Sequence, residues 1–163
     1  MSFVKHRGKT KFMNFKNLDT TNALRDGGLV QLDDSSNLEP VRNDSTDRPI
    51  GVCRLNVALT DSTNNGGLGI PVEVAVENGV EWLIDVDSDA GAADSDVGRF
   101  CAVDTTGGNS VLAGDSAGMR ADVSDTAIRQ IFITGRLSAT RIIGVIAKTA
   151  FNGGVVSDTA TGA

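Results

Sequence analysis

From residue 24 onward, short apolar runs alternate with clusters of Asp, Asn, Ser and Gly. Runs at 29–32, 38–42, 49–58, 70–76, 80–86, 99–103, 119–123, 128–137 and 141–148 are each bounded by turn formers, and each predicts a strand. Strands separated by turn signals at intervals of about ten residues imply an all-β body, a small sandwich or a barrel of short antiparallel strands. No long helix fits the pattern. Residues 88–96 and 124–130 have room for a turn or two.

One pair of runs suggests a register. Ile70, Val72, Val74 and Val76 alternate with Pro71, Glu73 and Glu77, and Val80, Trp82, Ile84 and Val86 continue the apolar parity after Asn78-Gly79. A two-residue Asn-Gly turn would put the two apolar sets on opposite faces. A three-residue loop, 77–79, instead pairs Val76 with Val80, Val74 with Trp82 and Val72 with Ile84. It requires Gly79 in the left-handed region. A one-residue slip flips every side chain, so the expectation is a hairpin with the three-residue loop and Trp82 in the core.

Two stretches echo each other. Gly-Leu-Val-Gln-Leu-Asp at 28–33 leads to Ile50-Gly51-Val52, and Gly-Arg-Phe-Cys-Ala-Val-Asp at 98–104 leads to Ile143-Gly144-Val145. A duplicated β unit and coincidence both account for this. The inner glycines predict a bulge or a close backbone approach. The segment from Asn152 is small, polar and Gly-rich, and is expected to fray.

Charge divides the chain. Its 21 acids comprise 17 Asp and 4 Glu, which suits turns rather than helix interiors. Residues 1–18 carry five bases and no acid, so the net −6 is a +5 segment joined to a −11 remainder. The expected organisation is a basic, aromatic N-terminal arm at 1–22 with no stable element, a β body at 23–150 and a flexible tail at 151–163. No apolar run is long enough for a membrane helix, and no apolar stretch follows the basic N-terminus as a secretory signal would require. No membrane association is expected.

Catalytic groups are sparse. His6 is the sole histidine and lies in the arm, a poor place to lock an imidazole by a third group. Gly8-Lys9-Thr10 resembles the end of a phosphate loop, but Phe3 stands where the first glycine is required. Gly66-Gly67-Leu68-Gly69 reads as a loop before a strand, with no helix after it to bind phosphate. Cys53 and Cys101 are too few for a disulfide scaffold or a structural zinc, and read as buried thiols with a bridge as the alternative. Asp85, Asp87, Asp89 and Asp96 follow the 1, 3, 5, 12 spacing of a calcium loop. Ala90 replaces its glycine and Asp96 its glutamate, so a solvated acidic loop is the simpler account. An enzyme would have to build an all-carboxylate or metal mechanism on this loop. The expectation is no enzyme and no cofactor.

The arm interleaves Lys5, Arg7, Lys9, Lys11 and Lys16 with Phe3, Phe12 and Phe15. Exposed aromatics favour aggregation unless they dock. They could complete the protein's own core, stack on single-stranded nucleic acid, or anchor the arm in another protein. The acidic body repels nucleic acid, so protein docking is the expected use.

The strand at 28–33, the return Asn37-Leu-Glu-Pro-Val, the polar loop and Arg48-Pro49-Ile50-Gly51-Val52 resemble the small all-β head decoration (cement) proteins of tailed bacteriophages. Residues 98–146, with Thr105-Thr106-Gly107-Gly108 and the closing Ile-Gly-Val, are similar in texture. The resemblance spans about 27–148 and excludes the arm and the 85–96 loop. It implies a non-enzymatic virion protein, often a homotrimer, assembled in the host cytoplasm onto the outer capsid surface. Its expected partners are the major capsid protein and copies of itself. The arm would bridge neighbouring capsid proteins, with Phe3, Phe12 and Phe15 as anchors. Deleting residues 2–18 would then leave a folded body that no longer decorates shells. A trimeric receptor- or glycan-binding module is the alternative.

Overall fold

The computed structural model describes residues 3–16, 24–42, 48–57, 67–87, 91–104 and 119–147. Each predicted run contains a strand, and two further strands precede them. In chain order these are β1 (Phe3–Arg7), β2 (Thr10–Phe15), β3 (Leu29–Leu32), β4 (Leu38–Pro40), β5 (Gly51–Cys53), β6 (Ile70–Ala75), β7 (Glu81–Asp85), β8 (Phe100–Asp104), β9 (Arg120–Asp122), β10 (Ile131–Ser138) and β11 (Arg141–Ile146). One 3₁₀ turn, Asp94–Asp96, falls inside the first segment given room for helix; 124–130 contains none.

The protein is all-β, a sandwich of two antiparallel sheets. One sheet runs β1-β7-β11-β10-β8-β9 and the other β2-β6-β5-β3-β4. A first core contains Phe3, Val80, Trp82, Ile84, Ile131 and Ile142 of the six-stranded side with Leu29 and Val52 of the five-stranded sheet. A second gathers Val30, Leu38, Cys53, Ile70, Val72 and Val74, with Met13 and Phe15 packed against it. The five-stranded sheet is therefore apolar on both faces.

That second core overturns the expected hairpin. β6 lies between β2 and β5, β7 lies between β1 and β11, and the two do not pair. Val74 belongs to the second core and Trp82 to the first. The alternation assigns the buried faces correctly except at Val76, which is exposed, but one apolar set has its own core to fill, so the two sets need not meet. Residues 76–80 are a corner between sheets rather than a hairpin loop.

The N-terminal segment is also corrected. Residues 3–15 are two strands of the body, so the boundary at 22–23 does not separate an arm from it. β1 pairs with β7 from Phe3↔Ile84, and β2 pairs with β6 from Thr10↔Ala75 to Phe15↔Ile70. Together 3–15 and 70–85 form one antiparallel ribbon that bends from one sheet into the other. The bend is pinned where Val76 N–H donates to Lys9 C=O (3.1 Å) and Lys9 N–H donates to Glu77 Oε1 (2.9 Å).

The β3–β4 hairpin is as expected; Asp33 Oδ1 accepts the Ser35 and Asn37 amides across its turn. The echoed halves are not equivalent: β3 pairs with β5 directly, whereas β10 separates β8 from β11. Their inner glycines do mark close approaches. A Cβ on Gly51 would run into the Glu73 carbonyl, and one on Gly144 would lie 2.8 Å from Ile131 Cγ2. The segment from Asn152 lies outside the described residues.

Candidate interaction surface

β1 and β2 are the first strands of their sheets, so they form one bent edge running over both. Bases sit along it because an edge strand has one side in water, and lysine there blocks unwanted pairing. Lys5, His6, Arg7, Lys9, Lys11, Asn14 and Lys16 are exposed. Arg7 Nε lies 3.0 Å from Glu81 of the neighbouring strand, yet three quarters of its side chain remains in solvent.

The three phenylalanines part company. Phe3 is fully buried in the first core and cannot anchor another protein. Phe15 is half-buried against the second core. Phe12 is 64% exposed, on the face opposite Lys11. The expected set of eight arm residues thus resolves into two packing residues, Phe3 and Phe15, and six that face solvent: Lys5, Arg7, Lys9, Lys11, Phe12 and Lys16. Deletion of 2–18 would remove two strands and a core phenylalanine, so it would not leave an intact body.

A polar pillar with almost no signature in the sequence holds this edge in place. Arg54 donates through Nε and Nη2 to Glu73 Oε2 (2.8 and 2.7 Å), and through Nη1 to the Phe3 carbonyl (2.8 Å). Thr10 Oγ1 donates to Glu73 Oε1 at 2.7 Å. The guanidinium also lies over the Trp82 ring, 5.8 Å from its centroid. One arginine therefore ties β1, β6 and β7 together, and Glu73 extends the tie to β2. The only signal along the chain is a glutamate amid apolar residues in one run and an arginine within another.

The acidic loop is engaged by arginines. Asp85 Oδ1 accepts from Arg141 Nη2 (2.9 Å), Asp87 lies 3.9 Å from Arg120, Asp94 accepts from Arg136, and Asp96 pairs with Arg99 and caps the Ala93 amide. Asp89 lies outside the described residues. Among the described residues, no three His, Cys, Asp or Glu side chains gather where a metal could sit. Cys53 and Cys101 are buried free thiols in separate cores. Burial pushes the Cys53 thiol up to about 11 and the Cys101 thiol higher still.

No helix among the described residues is long and apolar enough to cross a membrane. The chain matches no known protein family, curated protein or solved structure.

Proposed function

We propose that this chain is a structural virion protein that binds the outer surface of a bacteriophage capsid and stabilises the shell by bridging neighbouring major capsid proteins. The observation that carries the reading is the continuous edge of β1 and β2. It carries five exposed basic side chains and exposed Phe12 along one margin of the sandwich. A lattice-binding protein needs such a margin more than it needs an active site, because many modest contacts on a repeating surface add up to tight attachment. The decoration-protein texture of residues 27–148 points the same way, and the family habit favours a homotrimer. Trp82, the sole tryptophan, is buried, so it offers nothing to a glycan-binding reading.

The test is incubation of the purified protein with expanded, undecorated capsids, followed by imaging of occupancy. The comparison is a variant carrying Lys9→Glu, Lys11→Glu and Phe12→Ser, all exposed and therefore compatible with the fold. Decoration by the natural chain and its loss in the variant are expected. Equal occupancy by both would defeat the reading.

A further inference from the structure

Beyond Phe3, whose outward groups are taken by Gly27 and Arg54, the described backbone of the same edge is open, and the pairing fixes its phase. Among the described residues, β1 pairs only with β7, and β2 only with β6. Because the Lys9 carbonyl accepts from Val76, the odd residues of β2 turn their N–H and C=O towards β6. Thr10, Phe12 and Asn14 turn theirs outward. On β1, Phe3 N–H donates to Gly27 C=O and Phe3 C=O accepts from Arg54, so Phe3 points away from β7 and Lys5, two residues on, does the same. Outward donors and acceptors thus line the edge beside exposed Lys5, Lys9, Lys11 and Lys16.

An edge of this kind is a template for an added strand, and its charge decides which strand. A second copy offers the wrong one. Its own β1–β2 edge would set like charges opposite one another. Its two other edges, β4 and β9, are three residues each, and β4 includes Pro40, which has no N–H to give. An acidic extended segment meets neither obstacle, and the lysines that repel a copy attract it.

We propose that the outer edge of β1 and β2 takes an extended acidic segment of a partner protein as an additional antiparallel or parallel strand. Main-chain bonds to Lys5, Thr10, Phe12 and Asn14 hold it, the lysines select its charge, and Phe12 covers an alternate apolar side chain. This rests on reading the edge as the contact surface, and it specifies how contact is made.

The test uses the full-length, isotope-labelled chain and peptides of about ten residues, the length of a long strand. An alternating Glu-Val peptide is compared with its Lys-Val counterpart and with a Glu-Val peptide N-methylated at every residue, which leaves neither edge a donor. The acidic peptide is expected to bind about tenfold more tightly than the basic one. It should slow amide exchange at Lys5, Thr10, Phe12 and Asn14, and N-methylation should abolish both binding and protection. Failure of the acidic peptide to bind, or equal binding by the N-methylated peptide, would overturn strand addition. So would protection centred on β4 or β9, or protection of the edge by self-association alone. Shell decoration by a chain that ignores the peptides would retain the capsid reading and reject this one. Peptide binding without shell decoration would do the reverse.

Discussion

Gly8 lies against Val80 at the corner where the ribbon passes from one sheet to the other. A Cβ on Gly8 would come within 2.9 Å of Val80 Cγ2 and 3.0 Å of the Val80 Cα. Gly8 also has φ +106°, a conformation that side chains disfavour. Both bent strands can therefore stay paired through the corner only if this residue has no side chain. The bend in turn places Phe3 in the first core and Phe15 against the second.

Gly8→Ala is expected to destabilise the fold by about 2–4 kcal/mol, since left-handed strain and overpacking act together. Gly79, on the opposite strand of the corner, has φ +82°, but a Cβ added there would meet nothing within 4 Å. Gly79→Ala should cost only about 1–2 kcal/mol, the strain alone. Urea unfolding of the two variants checks the order. Equal losses would mean that Val80 gives way and the corner is not tightly packed.

The Arg54–Glu73 pair makes a second expectation. The two side chains are 14% and 8% exposed; removing Arg54 strands Glu73 in the interior, whereas removing Glu73 leaves Arg54 with Asp26 at 3.6 Å. Arg54→Met should cost about 3–5 kcal/mol, and Glu73→Leu less, because Arg54 then keeps Asp26. The double variant should lose clearly less than the sum, because each single change already removes the shared Arg54–Glu73 interaction. Amide exchange adds a spatial check. In Arg54→Met, β1 should lose protection before β10, because the Phe3 carbonyl has lost its donor.

How much of this was legible follows from what each residue's pattern encodes. Period-two alternation put Ile70, Val72, Val74, Val76, Val80, Trp82, Ile84 and Val86 on apolar faces, and all are buried except Val76, which sits at the corner and is 44% exposed. Alternation gives a face but not a sheet, so nothing local separated the core of Val74 from that of Trp82. β1 and β2 were missed because edge strands need a buried face only in part: Phe3, Met13 and Phe15 point inwards, but the same parity carries Lys5, Arg7, Lys9 and Lys11, which breaks the apolar alternation. The same bases were legible as an exposed basic stretch, since charge asymmetry survives whether the segment is an arm or an edge. The Arg54–Glu73 contact joins residues 19 apart and leaves no local motif.

The arginine partners of the 85–96 segment predict its response to calcium. Asp85 and Asp96 already hold Arg141 and Arg99. A cation would have to displace these guanidinium groups and reorient their carboxylates. Millimolar calcium is expected to give no titration heat and no change in thermal midpoint. Saturable heat at one ion per chain, lost in Asp85→Asn, would overturn this account.

The buried thiols make stability fall on the alkaline side. Burial holds Cys53 protonated up to about 11, against 9.0 for the unperturbed group, and shifts Cys101 in the same direction. The folded chain therefore binds these protons more tightly than the unfolded chain. Their contribution is complete below 9 and is lost as pH rises through the folded value. Cys53→Ala should cost cavity energy at every pH, but its stability should decline less than that of the natural chain between about pH 9 and pH 11. The difference in decline should be on the order of 2 kcal/mol. Paired urea titrations at about pH 8 and about pH 10.5 give the comparison, in which the constant cavity cost cancels. Alkylation of the natural chain at about pH 8 should proceed only as fast as the protein opens, because a thiol kept neutral and out of solvent is not a nucleophile. Identical alkaline slopes for the two chains, or fast native-state alkylation of Cys53, would show that the thiol is not shielded by the second core.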